Sequence, residues 1–233
     1  MAKSPHKLVT IVFSQRAYDK TRAYLFRDEK ESVCFLFANT RETRERVILF
    51  VDYVVTLDES CYLKRTRTSV VVDHRAKNQV YSRFVQSRFT GLLNCHSHPF
   101  STSAVAFSPT DDEDDLRELF WQYDQLPRSK RSCRNPSKIH AFSMVFGQQS
   151  LAARGYRHGT PPTLPTIDQV QVLGERFHLI TPTGAAKSPV LSSSDRSTYD
   201  RQIRAFGEEG QKTLAQLRVA LIGCGGIGSV LGA

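Results

Sequence analysis

Between Lys7 and about Gln149 the apolar residues fall into short runs set apart by polar stretches, a pattern that predicts strands. The expected strands are Leu8–Phe13, Val33–Ala38, Val47–Thr56, Ser69–Val72, Thr90–His98 and His140–Phe146. From Thr110 to Tyr123 the spacing turns helical, with Leu116, Leu119, Phe120 and Tyr123 on one face. Ser108 is a good N-cap for that helix, Pro109 suits its first position, and Asp111 falls where a capping box places its acidic partner. A second helix is expected over Gln79–Phe89, where Val80, Phe84 and Val85 are apolar. From Leu126 to Lys138 the composition turns to Pro, Ser, Arg and Lys, which predicts a loop.

Further along, a Pro/Thr-rich stretch (Gly159 to Pro165) precedes a short strand-like run, Val170–Leu173. Thr181–Ser197 is rich in Pro, Ser, Thr and Gly and reads as an interdomain linker. After it the character changes. Tyr199 to Leu217 is polar and helix-like, broken at Gly207 and Gly210, and leads into an apolar strand, Arg218–Ile222, and a glycine-rich turn. The expected organisation is a domain over 1–180, a linker over 181–198 and the start of a second domain over 199–233. No internal repeat is evident.

Composition narrows the function classes. With 40% apolar residues, 14 Phe and 8 Tyr, a chain of 233 residues can build a packed core, which argues against wholesale disorder. No apolar run reaches the roughly 18 residues of a membrane helix. The first residues are basic and lack both a long apolar region and a small-residue cleavage site, so no secretory leader is expected. Five cysteines, Cys34, Cys61, Cys95, Cys133 and Cys224, are dispersed with no Cys-x-x-Cys pair; the expectation is reduced thiols in the cytoplasm. The net charge of +9 would attract nucleic acid or acidic proteins. Much of it sits in two short runs, Lys64, Arg65 and Arg67, then Arg128, Lys130, Arg131 and Arg134. No aromatics interleave the second run and no nucleic-acid motif is visible, so neither nucleic acid nor membrane is the expected partner. The acidic run Asp111–Asp115 suits the start of a helix, where negative charge complements the macrodipole.

The chemistry concentrates in His96-Ser97-His98-Pro99 and Ser108-Pro109-Thr110-Asp111. Histidines two apart in a strand point to one side, and an aspartate after a loop can complete three ligands while leaving a fourth position open. Zinc in such a site serves hydrolysis better than structure, because structural zinc takes four protein ligands. The ligands would be His96, His98 and Asp111. A hydrolase also needs a proton acceptor and a donor for the developing oxyanion, and Ser108 is close enough in sequence to be that donor.

Strand, His-x-His-Pro, loop and Ser-x-x-Asp opening a helix resemble the JAMM or MPN-type (JAB) zinc isopeptidases. The segment Gly91–Pro99 resembles that family's strand leading into the site, and Glu31-Ser32-Val33-Cys34-Phe35-Leu36-Phe37 resembles its glutamate-bearing element. The resemblance implies an α+β fold built on a curved, mostly antiparallel sheet flanked by helices. It also implies Glu31 as the general base, with Glu29, Glu42 and Glu59 as competing candidates; of these, Glu59 would sit too late in its strand. Two departures stand out. Nine residues separate His98 from Ser108, longer than the family's usual spacing, and Cys34 stands where glycine is frequent.

The turn Gly223-Cys224-Gly225-Gly226-Ile227-Gly228 follows an apolar strand, as a phosphate-cradling turn does. Together with Tyr199-Asp200-Arg201-Gln202-Ile203 and Gly207-Glu208-Glu209-Gly210-Gln211, it resembles the opening of the ThiF/MoeB-like ubiquitin-activating fold, a Rossmann-like element. That resemblance implies ATP and magnesium in an intact domain, held by Arg201, Gly223, Gly225, Gly226 and Gly228. A homodimer through this part is one association it allows. The acidic ribose contact expected about 20 residues on does not follow, so adenylation by these residues alone is not expected. The combined expectation is a bacterial-type fusion in which a zinc peptidase cleaves at the C-terminus of a ubiquitin-like protein or its conjugate. Two rivals are an activating enzyme whose activity belongs to the second part, and a non-catalytic MPN scaffold.

Overall fold

The computed structural model describes residues 7–129, 140–174, 178–183, 198–203 and 211. The chain divides into two units, Met1–Ala185 and Ala186–Ala233.

In the first unit, strand β1 (Leu8–Ser14) runs into helix α1 (Gln15–Leu25), then β2 (Val33–Glu42), β3 (Arg46–Thr56), β4 (Tyr62–Arg65) and β5 (Val70–Val72). Helix α2 (His74–Gln86), strand β6 (Gly91–Ser97) and helix α3 (Pro109–Ser129) follow. The remaining strands are β7 (His140–Phe146), β8 (Leu151–Gly155), β9 (Gln169–Leu173) and β10 (His178–Ile180). Eight strands form one sheet in the order β10-β9-β1-β3-β2-β6-β7-β8, and β4 and β5 form a separate antiparallel ribbon. Within the large sheet β1–β3, β1–β9 and β6–β7 are parallel, and the other four pairs are antiparallel. The sheet curls. The Ile167 N–H donates to the Ala153 carbonyl and the Thr183 N–H to that of Leu151, so segments flanking β9 and β10 lie against β8 at the far end of the sheet.

Both faces of β2, β6 and β7 are largely covered, which explains their near-continuous apolar runs, whereas β3 leaves Phe50 and Tyr53 exposed. Along β2, Cys34, Leu36 and Ala38 pack with α1 residues Ala17 and Leu25 in one core cluster. Phe35 and Phe37 point the other way, into a second cluster with Val80, Tyr81 and Phe84 of α2 and Leu126 of α3. Strand β6 divides likewise. Leu93 and Cys95 face the first cluster, whereas Asn94 and His96 share the face of Leu92, toward α2 and α3.

The expected strands recur with small shifts at their ends, and the expected helices recur with corrected limits. Helix α2 starts earlier than expected because the Asp73 carboxylate caps it, accepting from the Arg75 N–H, and it stops at Ser87 before Phe89 is reached. The loop expected from Leu126 starts later. Leu126 is buried in the second cluster and carries the apolar stripe of α3 a further turn, so the helix runs to Ser129. The rest of that loop lies outside the described residues. Glu59 is not on a strand but in a 3₁₀ turn, Glu59–Cys61.

In the second unit the described residues include one helical turn in which the Ile203 N–H donates to the Tyr199 carbonyl. The expected strand Arg218–Ile222 and the glycine-rich turn lie outside the described residues, as does most of the expected linker. Among the described residues no helix is long and apolar enough to cross a membrane, and Cys34, Cys61 and Cys95 are free thiols.

Candidate metal centre

The antiparallel register of β2 and β6 aligns Val33 with His96 and Cys34 with Cys95. Carried two residues past the strand ends, the same register sets Glu31 opposite His98, and the Ser97 N–H to Ser32 carbonyl bond (3.1 Å) extends the ladder that far. The Glu31 carboxylate accordingly lies 3.8 Å from His98 Nε2. Arg65 fixes the turn that delivers it. That side chain is 4% exposed and pairs with Asp28 through both terminal nitrogens. It also donates to the Glu31 backbone carbonyl at 3.0 Å and to Ser32 Oγ at 2.6 Å.

Asp111 arrives from the other side, at the start of α3. Its N–H donates to Ser108 Oγ at 3.2 Å, while its Oδ2 accepts from the Ser108 N–H at 2.6 Å. This reciprocal pair is the capping box expected from the sequence. It leaves Oδ1 aimed at His96 Nε2, 3.4 Å away. His96 Nε2 and His98 Nε2 are 3.2 Å apart, and His98 Nε2 is 3.7 Å from Asp111 Oδ2. Ring contacts hold the imidazoles: His98 stacks on Phe100, and His96 lies against Phe107.

Three mutually facing acceptors within 4.8 Å of one another form a cation-ready group. Tetrahedral zinc with bonds of about 2.0–2.2 Å to imidazole nitrogen and carboxylate oxygen sets neighbouring donors roughly 3.3–3.6 Å apart. The observed 3.2 Å between the imidazole nitrogens and 3.4 Å from His96 to Asp111 Oδ1 lie close to that spacing; the 3.7 Å from His98 is to the other carboxylate oxygen, Oδ2. The electrostatics agree with the donor set. Burial, reinforced by the charge of His96 and opposed by that of Asp111, lowers His98 to about 4, which favours a neutral imidazole able to accept a cation. For Asp111, burial works upward, but the His96 interaction and two hydrogen bonds with Ser108 hold it well below the usual carboxylate range. Burial lifts Glu31 to about 7; Asp111 adds to the rise and His96 opposes it.

The group opens onto a cleft of about 350 Å³ bounded by β5, by the first turns of α3 and by Lys77 of α2. Glu31, His96, His98, Ser108 and Asp111 all line it. The competing glutamates lie elsewhere. Glu42 pairs with Lys7, Glu59 with Arg27 and Arg65, and Glu29 borders a different cavity. Arg201 is exposed on its short helical turn. Gly223, Gly225, Gly226 and Gly228 lie outside the described residues. Two arginines at the site, Arg65 and Arg154, are not among the residues the sequence singles out as functional. A buried arginine in a strand has no local signature, and each acts through partners far away in the chain.

The protein is thus a mixed α/β fold with a His–His–Asp group at the mouth of a cleft. The ThiF family model matches residues 199–232. No curated protein matches the chain. Among solved structures, the solution structure of protein DSY2949 from Desulfitobacterium hafniense is similar over 71% of this chain and 94% of its own, at 15% identity and a TM-score of 0.41.

Proposed function

We propose that the first unit is a zinc-dependent peptidase or isopeptidase acting at the C-terminus of a ubiquitin-like protein. The observation that carries the proposal is the convergence of His96, His98 and Asp111 beside the buried carboxyl of Glu31 in an open cleft. The choice of substrate rests on the resemblance of the His-x-His-Pro and Ser-x-x-Asp segments to the JAMM isopeptidases.

His96, His98 and Asp111 would hold zinc, which when bound supplies Lewis acidity toward a carbonyl and makes water more acidic. Glu31 takes a proton from the attacking water and returns it to the leaving amine. Its place beside His98, 3.8 Å away, puts it within reach of a proton on either side of that exchange. Ser108 Oγ accepts from the Asp111 N–H, and its O–H, which donates to the Asp111 carboxylate at rest, would turn to donate toward the oxyanion. Arg65 keeps the Glu31 backbone from swinging away.

The deciding experiment is elemental analysis of the purified protein beside the H96A/H98A double variant. About one zinc per chain, lost in the variant, supports the reading. Cleavage of an amide after a ubiquitin-like C-terminus, abolished by Glu31→Gln with zinc retained, would complete it. Absence of zinc from both proteins overturns it and favours a scaffold.

A second reading follows from the ThiF match over residues 199–232: activation of a ubiquitin-like protein with ATP, with Arg201 at the nucleotide. ATP–pyrophosphate exchange that depends on such a protein and fails in Arg201→Ala would favour it; no exchange would count against it.

A further inference from the structure

We propose that Arg154, on β8, is the positioning residue for the carboxylate side of the metal centre. The inference rests on the zinc reading above. Arg154 is 7% exposed, and its guanidinium is engaged on every edge and on one face. Nε donates to Asp115 Oδ2 at 2.7 Å, and Nη2 lies 2.6 Å from the same oxygen. Nη1 pairs with Asp112, and Nη2 donates to the backbone carbonyl of Asp111 itself at 2.8 Å. The face of the guanidinium covers the Phe107 ring, with Cζ 3.7 Å from its centroid, and Phe107 in turn lies against His96.

One side chain therefore grips the end of the long loop at Phe107 and the first turns of α3 at Asp111, Asp112 and Asp115. Ser108 lies between the two grips. The backbone behind this grip is fixed on both sides: Arg154 pairs with Ser143 of β7 and bridges to Thr166. Ser143 adds a hydrogen bond to Asp115. The nine-residue passage from His98 to Ser108 is thus pinned where it meets the helix, and the direction of the Asp111 carboxylate is set from behind.

A positive charge near a cation site works against the cation, so replacing Arg154 by a neutral residue changes two things at once. Lysine separates them. Arg154→Lys keeps the charge that compensates buried Asp115, but a single ammonium cannot span Asp111, Asp112 and Asp115 while stacking on Phe107. The experiment measures zinc dissociation constants by chelator competition, cobalt(II) absorption as a report of ligand geometry, and the melting temperature of the metal-free protein. The proteins compared are wild type, Arg154→Lys and the double variant Arg154→Met/Asp115→Asn. The double variant removes the buried pair together, so the only carboxylate left without Arg154 is the exposed Asp112, which keeps the test open if Arg154→Lys folds poorly.

The expected result is zinc binding weakened about 10–100-fold in both variants, the size associated with residues that orient metal ligands, with an altered cobalt spectrum. Wild-type affinity in either folded variant overturns the positioning role and leaves the metal reading intact. A wild-type protein that binds no zinc, like H96A/H98A, overturns the metal reading and this inference with it.

Discussion

Two polar clusters lie against α3, and they differ in how their groups are matched. Midway along the helix, Lys77 Nζ donates to Glu118 Oε2 at 2.6 Å and Tyr81 donates its hydroxyl hydrogen to Glu118 Oε1. Gln122 Nε2 donates to Tyr81 at 3.2 Å and to Asn94 at 3.0 Å. Each of these contacts joins a donor to an acceptor, with Gln122 Oε1 alone in the cluster buried without a partner, and the product is a tie between α2, α3 and β6. At the N-terminus of the same helix, two imidazole nitrogens and a carboxylate face one another. A single proton can satisfy one of those contacts; a divalent cation satisfies all three. Polar groups that complete one another hold a fold, and polar groups that converge without completing one another mark a place for something else.

Breaking the convergent cluster gives the largest effect. Asp111→Ala removes a ligand and the acidic half of the capping box together. Zinc affinity should fall by more than about 100-fold, beyond the range of groups that only orient ligands, and the metal-free protein should lose about 1 kcal/mol. Titration calorimetry and urea unfolding check the two separately; affinity within ten-fold of wild type would show that Asp111 is not a ligand.

Zinc added at about 100 times its dissociation constant should stabilise the wild-type fold by about 2.7 kcal/mol and leave H96A/H98A unmoved, as read from melting curves with and without metal. Equal shifts in both would place the bound metal elsewhere.

Tyr81→Phe breaks the closed cluster. It takes a donor from Glu118 and should cost about 1–2 kcal/mol of stability, with zinc affinity unchanged. A drop in zinc affinity would mean that the two clusters are coupled through α3 and would undo the contrast. Smallest is Ser108→Ala, which removes the hydroxyl cap for about 1 kcal/mol and keeps all three ligands. Urea unfolding reads the first effect and zinc titration the second; a large loss of zinc would mean that the carboxylate cannot hold its direction without the cap.

The sequence makes β2, β6 and β7 legible because burial on both faces writes them as long apolar runs. Helix α1 leaves no such trace. Its buried face is Ala17, Thr21 and Leu25, residues too small or too polar to draw a stripe, and only the Ser14 cap marks its start. Strand β8 is buried at all five positions, Arg154 included, so it shows no alternation. His96, His98, Ser108 and Asp111 are legible because their spacing is local. The placement of Glu31 is not, because it depends on how β2 and β6 are aligned, and a register is a property of two strands rather than of either sequence.

The hydrogen bonds between Ser108 and Asp111 would exist whether or not a metal ever occupied the cleft, because the first turn of α3 gains from them directly. Without a metal both residues would still serve the helix, whereas nothing in the helix requires the imidazoles of His96 and His98. The Ser-x-x-Asp pair therefore serves the fold whether or not the cleft binds a cation, and only the imidazoles of His96 and His98 distinguish the two cases.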